Sequence, residues 1–440
     1  MKIKLKIFKL SLFLICLILL SSSNINSLQI DNKKNGLVQS ILPDIIIPDD
    51  YSTIQLGINN SNPGDTIFVR NGVYYENIII EKKIILVGEN KNNTIINGIL
   101  NLKNTIIVNS DYVIIKNFSI INGLGENIFW DNSGIFINSS NVTIENNIIM
   151  WNTLGICALD TAYNLIVCNN DFINDSILVG NYVHTTDSFT LKSVLHIIEN
   201  NTVNGKPLYY IKNKSNFIVP NDAGQIILVN CSNATINNNF FTKVDFPILL
   251  YFCNKCLIEN VTSKDNYGEI ILFYSNNCTI QYINASNMIF GVCLDYQSTN
   301  NAVRYNEVYN NIAGITVMAS SKYNKIYKNY IHHNTEGIRI SNKSSYNIFY
   351  ENILEENKFG FSLFLKPYDN NIQNNTILKT PFCVKSIGKT KNYYNNNYWN
   401  KPRVIPKCIF GCLKSKNFPV FIFPCFITGV DWHPLKERPV

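Results

Sequence analysis

Acidic residues are scarce in this sequence, and arginine is scarcer. Asp and Glu number 31 among 440 residues, and the arginines are Arg70, Arg304, Arg339, Arg403 and Arg438. Hydrolysis of a glycosidic bond needs two carboxyl groups at a fixed separation. No cluster of aspartates with a Gly-His-Gly occurs, and few acids stand at repeating positions. Elimination chemistry at calcium needs acidic ligands beside an arginine, and the same scarcity argues against it. After Met1 the methionines are Met150, Met288 and Met318, at unrelated phases of the pattern described below. That spacing disfavours a convergent thioether site for copper. Beyond residue 20 no apolar run is long enough to cross a bilayer as a helix.

Positive charge is also less abundant than it looks. Lys2, Lys4, Lys6 and Lys9 precede the apolar stretch Leu10–Leu20, and small polar residues follow from Ser21 to Ser27. This is the order of a secretory signal, expected over residues 1–27, and eleven residues are too few for a comfortable span. Without those lysines the formal net charge falls from +7 to +3, so the basicity makes no case for nucleic acid.

What the chain has in abundance is asparagine at fixed intervals. Val303, Ile326, Phe349 and Ile372 are anchors 23 residues apart. Asn306, Asn329, Asn352 and Asn375 follow them, then Val308, Ile331, Leu354 and Ile377. Asn301, Asn324, Asn347 and Asn370 come just before, and Gly291, Gly314, Gly337 and Gly360 further back. A fixed period of this length signals a solenoid. Ile338 and Ile340 alternate around Arg339, as Phe361, Leu363 and Leu365 alternate, and period two in short runs argues strands. Stacked coils would pair strands in parallel about 4.8 Å apart, with equivalent asparagines bonded in ladders. The glycines and the asparagines after each anchor are expected to take left-handed turns. The result is an all-β right-handed parallel β-helix, its hand following the general rule for parallel crossovers.

The unit Gly314-Ile315 … Tyr323-Asn324-Lys325-Ile326-Tyr327-Lys328-Asn329-Tyr330-Ile331 resembles the repeat of the NosD-like proteins. These belong to a wider group of carbohydrate-binding proteins and sugar hydrolases. The resemblance covers most of the chain and implies the fold more firmly than the task. It also implies a link to copper-site maturation, for which the lone Cys253-Asn254-Lys255-Cys256 offers little.

Anchors recur upstream at Ile115, Ile144, Val167, Ile198, Ile236, Ile258 and Ile280. Extra residues predict projecting loops near Gly123–Ser133, Asp175–Lys192 and Gly205–Asp222. Loops on a rigid scaffold concentrate binding residues. Asp175, Tyr182, His184, Asp187, Tyr209, Tyr210 and Asp222 therefore form a candidate glycan-binding set, against the alternative that the loops only pad the stack. A second candidate is the polar face His332, His333, Glu355 and Glu356, where stacking places His333 between Asn310 and Glu356. It suits a metal or a sugar hydroxyl, the alternative being a solvated polar ladder.

Cys231 and Cys253 share one phase in neighbouring coils, and Cys256 and Cys278 share another. Each pair lies within disulfide reach, with buried thiols as the equal alternative. Cys408, Cys412 and Cys425 suit a staple in the tail. Sequons at Asn117, Asn138, Asn141, Asn233, Asn260, Asn277 and Asn342 permit glycosylation.

The expected organisation is a signal at 1–27, a lead-in at 28–50, a β-helix at 51–400 and a Pro- and Cys-containing cap at 401–440. The β-helix has roughly a dozen coils of 22–23 residues, opened by a capping helix within Tyr51–Asn60. The expected function is a secreted, extracellular or surface protein (periplasmic in a diderm bacterium) without catalysis, cofactor, nucleic-acid partner or membrane span. It binds polysaccharide or cell-envelope glycan, or forms part of an envelope layer. The alternatives are a lyase or hydrolase using the loops, and a copper-site maturation factor.

Overall fold

Apolar residues at period two, punctuated by residues that accept tight turns, fold into short parallel strands. A computed structural model describes residues 43–99, 104–123, 132–181, 189–387, 390–400, 407–412, 425–431 and 433–435. They form a right-handed parallel β-helix of about 14 turns, slightly more than the repeat suggested. A coil of the regular region has three strands, for example Ala302–Arg304, Glu307–Tyr309 and Ala313–Val317. Each pairs in register with its counterpart one coil on, as Val303↔Ile326, Val308↔Ile331 and Ile315↔Ile338 do. All of these apolar anchors are fully buried.

The asparagine ladders form as the spacing predicts. Asn329 Oδ1 accepts from Asn306 N at 3.1 Å and from Asn306 Nδ2 at 2.9 Å. Asn329 N and Nδ2 donate in turn to Asn352 Oδ1 at 3.2 and 2.9 Å, and Nδ2 also donates to Val303 O at 2.9 Å. Every donor and acceptor of the buried carboxamide is thus used, which burial demands. Parallel ladders run through Asn301, Asn324, Asn347, Asn370 and Asn392, and through Asn311, Asn334 and Asn357.

Two sequence expectations are corrected. The left-handed residue is not the ladder asparagine but the one before it, with φ of 54° at Tyr305, Lys328, Glu351 and Asn374. A side-chain residue in that region is normally disfavoured, but here the turn aims the next amide into the ladder. The repeating glycines are not left-handed either. A Cβ on Gly314 would come within 2.7 Å of the Gly337 carbonyl oxygen, and one on Gly337 within 2.8 Å of that of Gly360. Glycine is required there by close coil-to-coil approach.

At the start, Thr53 caps the helix Ile54–Asn60, and Ile54 and Ile58 are buried as expected. The first strand precedes it, Ile45–Ile47 pairing with Ile67–Val69, so the lead-in over 28–50 ends inside the β-helix. At the end, Lys407–Cys412 and Cys425–Asp431 form an antiparallel pair, with Cys412 opposite Cys425 in register. Asp431 there accepts from Asn397 N, Asn397 Nδ2 and Trp399 Nε1 at 3.0, 3.1 and 2.9 Å. The residues read as a signal, 1–27, lie outside those described.

One of the three insertions is described throughout, and it differs from a projecting loop. Within Gly205–Asp222 the strands Lys206–Lys212 and Ser215–Val219 add a short coil of their own, pairing Val219 with Ile236. Val219 is a buried anchor the spacing had hidden. Of Asp175–Lys192, residues 182–188 lie outside the described ones, and Phe189 beyond them packs on the stack, 5.5 Å from the Tyr274 ring and 6.1 Å from Tyr251. It covers an apolar outer face that would otherwise meet water. Of Gly123–Ser133, residues 124–131 lie outside the described ones.

Replacing Asn329 by Leu should lower stability by roughly 1–3 kcal/mol for each buried group left unpaired, the amides of Asn306 foremost. Equilibrium denaturation checks this, and an unmoved midpoint would show the ladder to be energetically idle.

Candidate functional site

The described members of the insertion set, Asp175, Tyr209, Tyr210 and Asp222, do not assemble into one site. Asp175 is fully buried, and accepts from Asn152 Nδ2 at 2.7 Å and Asn152 N at 3.1 Å. It therefore ends an internal ladder and is no surface carboxylate. Tyr210 donates its hydroxyl to Val194 O and accepts from His196 N at 2.9 Å, so it ties one inserted segment to another. Tyr209 and the exposed Asp222 remain accessible, joined by a 2.8 Å hydrogen bond. Tyr182, His184 and Asp187 lie outside the described residues.

Cysteines continue the ladders. Cys231 and Cys253 stand in the column that later holds Ser275, Ser298 and Ser321; Cys253 N donates to Ser275 Oγ at 3.0 Å. Cys256 and Cys278 stand in the asparagine column: Cys256 N donates to Cys278 Sγ at 3.4 Å, and Cys278 N to Asn301 Oδ1 at 2.8 Å. All four are buried free thiols, so neither disulfide is formed. Each Sγ is turned toward backbone carbonyls, for Cys253 those of Leu228 and Tyr251 at 3.5 and 3.4 Å. The shared phase with Asn301 and Ser298 was the signal for this role. No side-chain description extends to Cys408, Cys412 and Cys425.

Three outer faces of the later coils gather the polar and aromatic chemistry. On the first, outward positions of the anchor strands align Gln281, Arg304, Tyr327, Tyr350 and Gln373 in one column. Tyr327 and Tyr350 stack at 4.7 Å and 5°, and Arg304 donates to Tyr327 Oη and Gln281 Oε1 at 2.9 Å each. Tyr282 stacks on Tyr305 at 5.5 Å, and Tyr323 on Tyr346 at 5.4 Å. Tyr282 and Tyr323 are half exposed, at 52% and 54%, and begin their columns, the coil before holding Asn260 and Asn300 in their places. Stacked rings show edges and hydroxyls to solvent, and the two first rings also offer a face. Sequence reading missed this face, although the Tyr repeats at one phase were visible.

On the second face the predicted polar set does assemble. His332 lies between Tyr309 and Tyr330, at ring distances of 4.9 and 4.3 Å. Its Nε2 is 3.3 Å from Glu307 Oε1, and His333 Nε2 is 2.7 Å from Glu356 Oε2. The two Nδ1 atoms are 2.8 Å apart. Lys379 bridges Glu355 and Glu356 at 3.1 and 2.8 Å, and holds both carboxyls below their usual range by hydrogen bonding. On the third face Arg339 pairs with Glu336 at 2.5 Å and Lys385 with Glu336 at 3.4 Å, flanked by Phe290, Phe359 and Phe364.

One acid pair sits inside the stack. Asp245 accepts from Gly155 N at 2.9 Å and Ser176 N at 2.7 Å, and is buried with Asp175 nearby. Burial pushes the Asp245 carboxyl up to about 7, and burial followed by Asp245 pushes Asp175 up as well. A carboxyl raised on folding stabilises fully below its unfolded value, and that stability is lost as pH rises through the folded value. The wild-type unfolding midpoint should therefore fall between about pH 4 and 7 relative to Asp245→Asn, whose curve should be flatter. Parallel curves would remove the acid pair as the cause.

The family model of NosD, described as periplasmic copper-binding protein, matches residues 178–411. No curated protein matches the chain. Among solved structures, the A-module of mannuronan C-5 epimerase AlgE4 from Azotobacter vinelandii is 11% identical, covering 80% of this chain and 95% of that one, TM-score 0.35. Polygalacturonase from Erwinia carotovora ssp. carotovora is 11% identical over 89% and 96%, TM-score 0.36. The Dettilon tailspike protein is 11% identical over 76% and 60%, TM-score 0.38. Copper needs accessible nitrogen or sulfur donors. The four ladder thiols are sealed among carbonyls, and Met288 Sδ is buried against Ser263 and Asn266. His196 is buried with Nε2 on Ser193 O at 3.1 Å. Among the described residues no group of three or more His, Cys, Asp or Glu side chains is placed to hold a metal ion. With the family model matched over more than half of its length, the chain belongs to the NosD family of periplasmic copper-binding proteins.

Proposed function

We propose that this protein is a non-catalytic, glycan-binding β-helix that works outside the cytoplasm, at the cell envelope. The observation that carries the reading is the tyrosine face between Tyr282 and Tyr368. Coil spacing of about 4.8 Å sets its hydroxyls at intervals close to one sugar ring per coil. Tyr rings combine apolar bodies with polar tips, which suits a hydroxyl-rich polymer. Arg304, Gln281, Lys328 and Gln373 add donors and acceptors along the same face. The signal-like start and the family's description as periplasmic support the location. No helix among the described residues is long and apolar enough to cross a membrane.

Several of the acids that a hydrolase or lyase could use are engaged elsewhere among the described residues. Asp175 and Asp245 are buried at a structural seam, Glu269 and Asp295 are also buried, and Lys379 occupies Glu355 and Glu356. These observations favour binding over cleavage.

The full chain should bind a subset of polysaccharides on a glycan array. A Tyr282→Ala/Tyr323→Ala variant should bind about tenfold more weakly, corresponding to about 1.4 kcal/mol. Unchanged affinity would remove the tyrosine face from the reading. Release of reducing ends or unsaturated products would replace it with the hydrolase or lyase alternative.

A further inference from the structure

The short coil that carries Val219 lacks one strand of the usual three. It passes from Ser215–Val219 to Gln225–Val229 through Pro220, Asn221, Asp222, Ala223 and Gly224 alone. The second sheet is interrupted there. Thr202–Val203 comes from the coil before and Phe240–Thr242 from the coil after. Phe240–Thr242 is the first strand of an eight-stranded sheet and pairs onward with Thr262–Lys264. The inward column of this sheet runs Ile149, Phe172, Val203, and resumes at Phe241 and Ser263. One inward side chain is missing between Val203 and Phe241.

A cleft of about 420 Å³ occupies the interruption. Its near rim is the turn at Asn204 and Gly205, which folds Lys206 and Pro207 back beside Thr202 and Val203. Its floor includes Val203, Ala223, Phe241 and Val244, all buried. Its far rim is main chain. Asn239 O accepts from Thr262 N on the onward side. Backbone groups of successive strand residues face alternate sides, so Phe240 and Thr242 turn theirs toward the cleft. Thr242 O and Lys243 O do accept there, from Asn204 Nδ2 at 3.2 and 3.0 Å. That amide closes one end and leaves the Phe240 end open.

The rim carries one sign of charge. Lys206 and Lys243 line the cleft, both exposed, and Lys264 Nζ stands 5.3 Å from the centre of the Phe240 ring. No acidic side chain is among the lining residues. Carboxylates on adjoining segments are engaged elsewhere: Asp171 with Lys91 at 2.9 Å, Asp265 with Asn287 Nδ2 at 2.8 Å, and Asp222 with Tyr209 at 2.8 Å.

We propose that this cleft binds an extended segment of a partner protein, patterned acidic, apolar, acidic over three consecutive residues. The segment pairs with the open edge of Phe240–Thr242, as peptides add to exposed sheet edges. Its apolar side chain enters between Val203 and Phe241 and completes the inward column. The flanking carboxylates point outward and meet Lys206 and Lys243. An apolar floor beneath a main-chain rim suits a polypeptide better than a hydroxyl-rich sugar. The site lies on the second sheet and does not depend on the tyrosine face, which belongs to the anchor strands.

The test uses the full chain and fluorescent heptapeptides, read by anisotropy. Their central residues are Asp-Leu-Asp, Ser-Leu-Ser, Lys-Leu-Lys or Asp-Ser-Asp. The Asp-Leu-Asp peptide should bind, and Ser-Leu-Ser and Asp-Ser-Asp about tenfold more weakly, each having lost about 1.4 kcal/mol. Lys-Leu-Lys should be weakest. In Lys206→Glu/Lys243→Glu the acidic and basic peptides should exchange rank, with the unfolding midpoint unmoved. Methylating the central peptide nitrogen, whose hydrogen faces Phe240 O in a parallel strand, should also weaken binding about tenfold. The proposal is overturned if no peptide binds, if the lysine variant leaves the rank unchanged, or if the methyl group is tolerated. It is overturned equally if a galacturonic acid hexamer binds more tightly than Asp-Leu-Asp and loses that binding in the lysine variant, which assigns the cleft to a carboxylated glycan.

Discussion

The buried carboxamide ladder is the constraint on which the rest of the structure depends. An asparagine side chain offers an acceptor and two donors in one plane, and each rung uses all of them. Its oxygen takes two hydrogens from the coil before; its nitrogen gives one to the coil after and one to a strand carbonyl. The bonds therefore run in one direction, with donors always pointing forward. Some ladders end on an asparagine whose amide donates only to a backbone carbonyl, as at Asn357, and others on a group that accepts. Asp431 supplies that end where the cap meets Asn397, and Asp175 supplies it for Asn152. Both carboxylates are buried for the same reason: they terminate ladders.

The fold was legible because this constraint acts on sequence directly. Moving Asn329 by one residue would break contacts to two coils, so the period is held at 23 between Val303 and Ile372. The same logic accounts for the buried-thiol reading of the cysteines. Cys256 and Cys278 were grouped by sulfur chemistry, but their phase is that of Asn301, and a thiol sulfur accepts the backbone N–H as an amide oxygen does. Legibility failed where the spacing departed from the period. Val219 was hidden because its coil reaches Ile236 in 17 residues, too few for three strands. Asp175 looked like a loop carboxylate for a similar reason, since its partners Asn152 and Asp245 lie at separations of 23 and 70 residues in sequence.

Inward and outward columns obey different rules. Inside, only residues that satisfy the ladder or fill the core are tolerated, and neighbouring coils repeat one another. Outside, the backbone register is the same but side chains are unconstrained, so each outward column is a row of independent choices. Where a column repeats one type, as Tyr327 and Tyr350 do, it makes an extended surface with no distinguished point. Where a column mixes types, it brings unlike groups into contact at a single coil. Tyr309, His332 and Glu355 share one such column, and Asn310, His333 and Glu356 the next.

That difference gives the two accessible faces different capacities. A repeated column suits a repeating ligand, and its strength comes from length. A mixed column suits a single small ligand, and its strength comes from the angle between two or three groups. Tyr327 and His332 are five residues apart in one coil, on either side of the turn at Lys328 and Asn329. The rung that fixes Asn329 therefore fixes the relative position of both faces. The tyrosine column and the histidine pair are held in register by the same buried amide, with no flexible connection between them.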